Sequence, residues 1–450
     1  MKLLQDIRRI GELAAPVLVG QLAVIAFGVI DTIMSGRASA TDLAAVGLGG
    51  SIYVTVYISL MGVLQALAPI AGQLHGAGRA AEIGSEVRQA AWLGVALAVP
   101  GMLLLAFPGP LLQFAQAPPE LVEKATTYLH IQAFGLPAAL GFRIYSALNN
   151  ALSRPVMVTV LQIVGLAVKI PLNAWFIDGG LGLAAMGGPG CALASTLISW
   201  MWCVSGVLIL RRNAAYRPLQ IFSSWAWPQA RPIRALLRLG VPMGLTYLIE
   251  ITSFTLMSIF ITRMGTVVLA GHQIIANLGA VAYMLPLSLA IATSTLVAQS
   301  IGARDLPAAR RIARRGICLA ALLAVMVGSL LWILREPLLH AYAKDPAVVR
   351  AALPLMLFIA FYQAFDAVQV MTAFILRAYK IALVPTLIYA LSLWGVGLGG
   401  GYVLGFGLIG SLPAFTRGAA GFWLANSVSL ALAATLLVRY FVTVSRRPQD

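Results

Sequence analysis

A chain of 450 residues that is 60% hydrophobic and only 10% charged is too apolar for a water-soluble globular protein, whose charged share runs near a quarter. Its net charge of +16 would suit a nucleic-acid binder, yet the basic residues alternate between loops and form no continuous stripe, so no nucleic-acid partner is expected. The expected surroundings are a lipid bilayer. Runs of about 20 apolar residues, the length that crosses a hydrocarbon core, centre in the first half near residues 22, 57, 98, 135, 167 and 199. In the second half they centre near 248, 285, 324, 362, 392 and 430. The first run begins directly after Met1 to Arg9 and is too long for a signal-peptide core, so no cleavable leader is expected.

The only long polar interruption, RRNAAYRPLQIFSSWAWPQARPIR, runs from Arg211 to Arg234 between the sixth and seventh runs. It divides the chain into an N-lobe over residues 1–210 with spans one to six, a cytoplasmic inter-lobe linker over 211–233, and a C-lobe over 234–450 with spans seven to twelve. Pro218, Pro228 and Pro232 forbid a continuous helix through the linker, and Trp225 and Trp227 suit the headgroup layer. Short loops elsewhere make consecutive spans antiparallel, and an even number of spans starts both lobes on the same side. The predicted fold is an all-α membrane protein of twelve transmembrane helices in two six-helix lobes, related by a pseudo-two-fold axis along the membrane normal.

The loop charges set the orientation. With the N-terminus in the cytoplasm, that side receives 22 of the 31 lysines and arginines, among them six arginines from Arg211 to Arg238, five from Arg304 to Arg315, Arg377, Lys380 and Arg447. The opposite side receives 7, and Arg143 and Lys169 fall within spans. Cationic loops favour the cytoplasm, so both termini are expected there, in a multi-pass protein of the cell inner membrane. Cys191, Cys203 and Cys318 lie in apolar stretches without Cys/His spacing, which argues against a disulfide framework or a zinc site. His75, His130, His272 and His340 are scattered and read as helix-end hydrogen-bonding residues. The run GVGLGGGY from Gly395 to Tyr402 lies in an apolar span with no strand before it, which excludes a nucleotide-binding loop.

The chain also repeats itself. A shift of 226 positions lays Pro16 on Pro242, Arg37 on Arg263, Gln73 on Gln299, Gly76 on Gly302 and Arg88 on Arg314 without a gap, and 13 positions match over residues 16–88. Pro16 and Pro242, at matched places in the first helix of each lobe, are expected to bend those helices.

Of the 15 acids, all but three fall in loops or at span ends, and the exceptions are Asp31, Glu250 and Asp366. A carboxylate in hydrocarbon is costly, so such groups face a cavity or a partner and mark an ion path. Under the repeat Glu250 falls on Val24, seven residues and two helical turns before Asp31, which places the two acids on one face of equivalent helices about 10 Å apart in depth. Tyr362 lies one turn before Asp366 on the same face. A Glu, an Asp and a phenol supply hard oxygen ligands for H⁺ or Na⁺. In the N-lobe, Lys169 and Asn173 share one face of span five at a separation suited to meeting Asp31. Counting Arg143, Lys169 and Asp31, the N-lobe carries about +1 within the membrane, against −2 for the C-lobe, so the C-lobe is the expected cation-coupling lobe.

At these residues the chain resembles the multidrug and toxic compound extrusion (MATE) family, in its bacterial NorM-type branch. The resemblance rests on AAPVLVGQL at 14–22, VIDTIMSGR at 29–37, LGVPMGLTYLIE at 239–250, AGHQI at 270–274 and FYQAFDAVQ at 361–369. It implies export of organic, often cationic and amphipathic compounds in exchange for inward H⁺ or Na⁺, through outward-open and inward-open states. Asp31 matches the first-helix acid of the family's N-lobe, Asn173 a polar partner in span five, Glu250 the seventh-span acid, and Tyr362 with Asp366 the tenth-span cation ligands. Lys169 stands where related proteins have a neutral polar residue, which leaves coupling to the C-lobe.

The resulting expectation is a secondary antiporter with a small organic substrate, no cofactor beyond the coupling ion, and a monomeric state. Two other transporter readings share the architecture: an exporter of an anionic metabolite or siderophore, and a lipid-linked saccharide flippase, whose cavity would carry several inward arginines. An intramembrane enzyme would need a nucleophile with its base, or a metal set such as HExxH, and the sequence contains neither.

Overall fold

The computed structural model describes residues 2–114, 118–180, 182–408, 413 and 416–446. Arg447, one of the basic residues assigned to the cytoplasmic face, lies outside the described residues. Six long helices form the first half of the chain: α1 (Lys2–Ala38), α2 (Ala40–Leu64), α3 (Ala80–Ala106), α4 (Pro119–Ala151), α5 (Pro155–Asp178) and α6 (Gly188–Arg212). Six more form the second: α7 (Ala230–Thr262), α8 (Thr266–Gly302), α9 (Leu306–Ile333), α10 (Leu355–Ala378), α11 (Leu383–Gly405) and α12 (Ala419–Arg446). Among the described residues there is no strand, only an isolated bridge between Gly180 and Leu183.

Eleven of these helices are long and apolar enough to cross a membrane, and α4 is the exception. Its first turns carry Glu120, Glu123 and Lys124, and it buries Gln132, Ser146 and Asn149. It tolerates them because it is the central helix of its unit, packed against α2, α3 and α6. Its counterpart α10 packs against α8, α9 and α12, and 72% of its apolar stretch is buried, far more than in any other span. A helix shielded from lipid on all sides can hold polar residues that a lipid-facing helix cannot.

The chain forms two compact units, Val19–Gly244 and a second made of Met1–Leu18 with Leu245–Asp450. The changeover points, after Leu18 and after Gly244, are 226 residues apart and two residues beyond Pro16 and Pro242. Ile10 and Ala14 of α1 are buried in the apolar core of the second unit, where Asp6 also pairs with Arg311 at 3.1 Å and with Arg315. The first half of α7 belongs to the Val19–Gly244 unit. There Gly240 and Gly244 bring its backbone against α2, since a Cβ at either position would overlap the carbonyl oxygens of Val63 or Ser59. Glycines four residues apart permit this close helix contact.

The repeat is visible in the backbone. The turn after Gly76 has Gly78 at φ 71°, and the turn after Gly302 has Arg304 at φ 59°, 226 residues on. In both, the next amide reaches back five residues, Arg79 to Leu74 and Asp305 to Ser300. Ser153 at φ 57° and Lys380 at φ 58°, one residue out of that register, make a second pair of turns with the same closure, Arg154 to Asn149 and Ile381 to Leu376. Positive φ costs a non-glycine residue about 1 kcal/mol, and these turns accept it to cap the preceding helices.

Between α6 and α7, residues 213–229 form a strap on the Val19–Gly244 unit. A 3₁₀ turn over Ala214–Leu219 opens it, and the Tyr216 hydroxyl donates to Asn149 Oδ1 at 2.5 Å. Burial pushes the Tyr216 phenol above its ordinary value. Arg88 of α3 donates to the Gln220 and Ile221 carbonyls at 2.7 and 3.1 Å, Trp92 Nε1 to the Ala226 carbonyl at 2.9 Å, and Gln89 Nε2 to the Trp227 carbonyl at 3.0 Å. Trp225 and Trp227 remain 75% and 72% exposed. Within α11, residues Ala390–Gly399 wind as a π-helix, a wide turn to which the glycines at 395, 397 and 399 offer little steric resistance.

Candidate cation and substrate sites

In the Val19–Gly244 unit, α1, α5 and α6 converge on a buried ion pair. Lys169 Nζ lies 3.0 Å from Asp31 Oδ1, donates to Ser195 Oγ at 2.5 Å and sits 5.0 Å from the centre of the Phe27 ring. Asn173, one turn after Lys169, donates through Nδ2 to the same Asp31 oxygen at 2.8 Å. Lys169 and Asn173 are fully buried and Asp31 nearly so. The Asn173 carbonyl oxygen Oδ1 is buried and accepts no hydrogen bond. Asp31 is thus already paired with an ammonium that the protein itself supplies. Arg143, on α4, makes no ion pair with Asp31 and bonds Tyr57 of α2, Nη2 to the hydroxyl at 3.3 Å.

In the second unit the acids sit among phenols. Glu250 of α7 and Asp366 of α10 are within electrostatic reach of one another, and both act on Tyr283 of α8, Tyr362 of α10 and Tyr389 of α11. Asp366 and Tyr362 are buried, while Glu250 keeps some exposure. The Tyr362 ring meets Trp423 edge-on at 5.6 Å and Phe254 at 6.1 Å. Trp423 is itself held, since its Nε1 donates to His272 Nδ1 at 3.2 Å, and His272 Nε2 lies 2.9 Å from Ser258 Oγ. With Nδ1 accepting, the ring proton belongs on Nε2, which donates to Ser258. His272 is fully buried in the second turn of α8, so it holds an aromatic neighbour of the site rather than ending a helix.

Arg377 departs from its expected place among the cytoplasmic loop charges. It belongs to the last turn of α10 and is only 5% exposed. Its Nη1 donates to the Tyr247 hydroxyl at 3.1 Å, its guanidinium covers the rings of Tyr247 and Phe374 at 5.1 and 4.4 Å, and it acts electrostatically on Glu250. The formal charge inside this lobe is therefore about −1 with Glu250, Asp366 and Arg377, instead of −2. Two aromatic faces replace much of the hydration that a buried guanidinium loses. Its position just before the turn at Tyr379 and Lys380 made it look like a loop residue. Tyr283, Tyr389 and His272 were also missed; the repeat offers a signal for the first, because Tyr283 falls on Tyr57.

A family profile named MatE matches residues 16–175 and 242–403, two segments that begin 226 residues apart. The chain belongs to the MatE family. It is 42% identical over 437 residues to a probable multidrug resistance protein NorM of Aromatoleum aromaticum, covering 97% of this chain and 94% of that protein. It is 35% identical to the multidrug resistance protein PmpM of Pseudomonas aeruginosa, over 99% and 93% of the two chains. Among solved structures, this MatE chain superimposes on the eukaryotic MATE transporter AtDTX14 with a TM-score of 0.89, 17% identity and coverage of 98% and 96%. The bent form of the Vibrio cholerae MATE transporter VcmN gives 0.85, 17% identity, and 99% and 98%. These likenesses establish the fold, a MatE membrane protein with twelve helices in two lobes.

Proposed function

We propose that the protein is an H⁺- or Na⁺-coupled antiporter that exports organic, cationic and amphipathic compounds by alternating access. NorM and PmpM relatives named for multidrug resistance, similar over nearly the full chain, support the substrate class. The observation that carries the coupling assignment is the contrast between lobes. Asp31 already has an ammonium 3.0 Å away, whereas Glu250 and Asp366 interact electrostatically with one another and with three tyrosines, and Arg377 acts on Glu250 but not on Asp366.

The physical scheme is competition together with conformational bias. With no ion bound, the two carboxylates repel and resist burial; a proton or Na⁺ arriving from outside neutralises them and changes which state is preferred. Substrate and ion need not touch, provided each binds the two states differently. The membrane potential adds about 2.3 kcal/mol per charge for each 100 mV. Tyr362, Tyr283 and Tyr389 would supply neutral oxygen ligands or hydrogen-bond donors. With both termini cytoplasmic, the ion enters from the opposite face.

The test is efflux of a cationic dye from proteoliposomes under an imposed Na⁺ gradient and, separately, an imposed pH gradient. One of the two should drive concentrative transport. Dye movement that responds to neither gradient would overturn the coupling reading.

A further inference from the structure

Arg143 is a guanidinium inside the membrane-spanning part of the N-terminal lobe with no carboxylate in ion-pair distance among the described residues. Lys169 has Asp31, and Arg377 has two aromatic faces and Glu250. Arg143 has one hydrogen bond of 3.3 Å, to the Tyr57 hydroxyl, and its Nε is buried without an acceptor. Arg143 lies in the last third of α4 and keeps some exposure, but a buried donor without an acceptor costs about 1–3 kcal/mol, which an incoming anion would relieve.

The neighbourhood fits an aromatic anion. Tyr53 and Tyr57, one turn apart on α2, hold their rings nearly parallel, with centroids 5.9 Å apart and planes within 5°. Tyr57 accepts from Arg143 through its oxygen and keeps its O–H to donate. A guanidinium edge beside a phenol hydroxyl matches a carboxylate, which takes two or three charge-assisted hydrogen bonds in one plane. The repeat strengthens the assignment. Tyr57 and Tyr283 are each seventeen residues into equivalent helices, α2 from Ala40 and α8 from Thr266. Tyr283 is under the electrostatic influence of the carboxylates Glu250 and Asp366, whereas the Tyr57 hydroxyl is bonded to a guanidinium.

We propose that Arg143 and Tyr57 form an anion subsite in the N-terminal lobe, which takes the carboxylate of an aromatic, amphipathic substrate. This rests on the export reading for its context and adds to it one polar contact, used by substrates that carry a carboxylate and left idle by plain cations.

Two dyes separate the possibilities: rhodamine B, a zwitterion with a free carboxylate, and rhodamine B ethyl ester, the same ring system as a plain cation. Binding to the purified protein is read by fluorescence anisotropy. Arg143→Gln should weaken rhodamine B by about tenfold, the worth of one charge-assisted contact, and leave the ester within about twofold. Tyr57→Phe should act in the same direction with a smaller effect, and Arg143→Lys should fall between Gln and wild type. These two milder variants carry the test if Arg143→Gln does not fold. Equal changes for both dyes, no change for either, or failure of the wild type to bind rhodamine B would each overturn the subsite. Efflux of the ester from proteoliposomes reports on the export reading alone, so the two can fail separately.

Discussion

Lys169 Nζ and Asp31 Oδ1 are 3.0 Å apart in the interior of the Val19–Gly244 unit, with Asn173 on the same carboxylate oxygen. A buried pair is strongly destabilising when one member is removed, by about 3–5 kcal/mol, because the other charge is left uncompensated. Lys169→Met is therefore expected to lower the melting temperature of the detergent-solubilised protein. The double variant Asp31→Asn with Lys169→Met should regain most of it. If the pair serves stability and coupling lies in the other lobe, the double variant also retains gradient-driven efflux. Loss of efflux in a well-folded double variant would move Asp31 into the coupling machinery.

Gly84 lies under the inter-lobe strap, where a Cβ would overlap the carbonyl oxygen of Leu219. The obstacle is backbone and cannot rotate away, so Gly84→Ala should lift residues 213–229 from α3. The expected cost is about 1–3 kcal/mol, typical of overpacking. Limited proteolysis should then cut the strap faster than in wild type. An unchanged cleavage rate would mean that the strap is not held by these contacts.

His272 connects to the acids through two rings, Trp423 and then Tyr362. His272→Ala leaves the Trp423 indole N–H without its acceptor, worth about 1–3 kcal/mol, and frees the ring that packs on Tyr362. The half-saturating concentration of the coupling ion should rise, with little effect on substrate binding measured without a gradient. His272→Asn, which can keep an acceptor near the indole, should recover part of the ion affinity. Equal loss of ion and substrate affinity would point to general loosening of the lobe.

Much of this arrangement was legible in the sequence. The runs of apolar residues located the helices, and the shift of 226 paired Gly76 with Gly302, after which the structure places left-handed residues at Gly78 and Arg304. The helical spacing of Lys169 and Asn173 anticipated that they share one face, because that step needs only one helix; their contact with Asp31 is seen only in the structure. Arg377, Tyr389 and the His272–Trp423 pair were not legible. Each depends on which helices become neighbours, and a hydropathy pattern carries no such information. An arginine one residue before the end of a span reads as a loop charge until the rings that cover it are seen. The exchange of first-helix halves, Met1–Leu18 into one unit and the start of α7 into the other, was hidden for the same reason.

The central claim is that Glu250 and Asp366 couple an ion to substrate export. Its most direct measurement is concentrative dye efflux from proteoliposomes for Glu250→Gln and Asp366→Asn, under whichever ion gradient drives the wild type, with dye binding measured on the same preparations. Both variants are predicted to bind dye with near wild-type affinity and to lose gradient-driven accumulation. Normal accumulation by both would contradict the account.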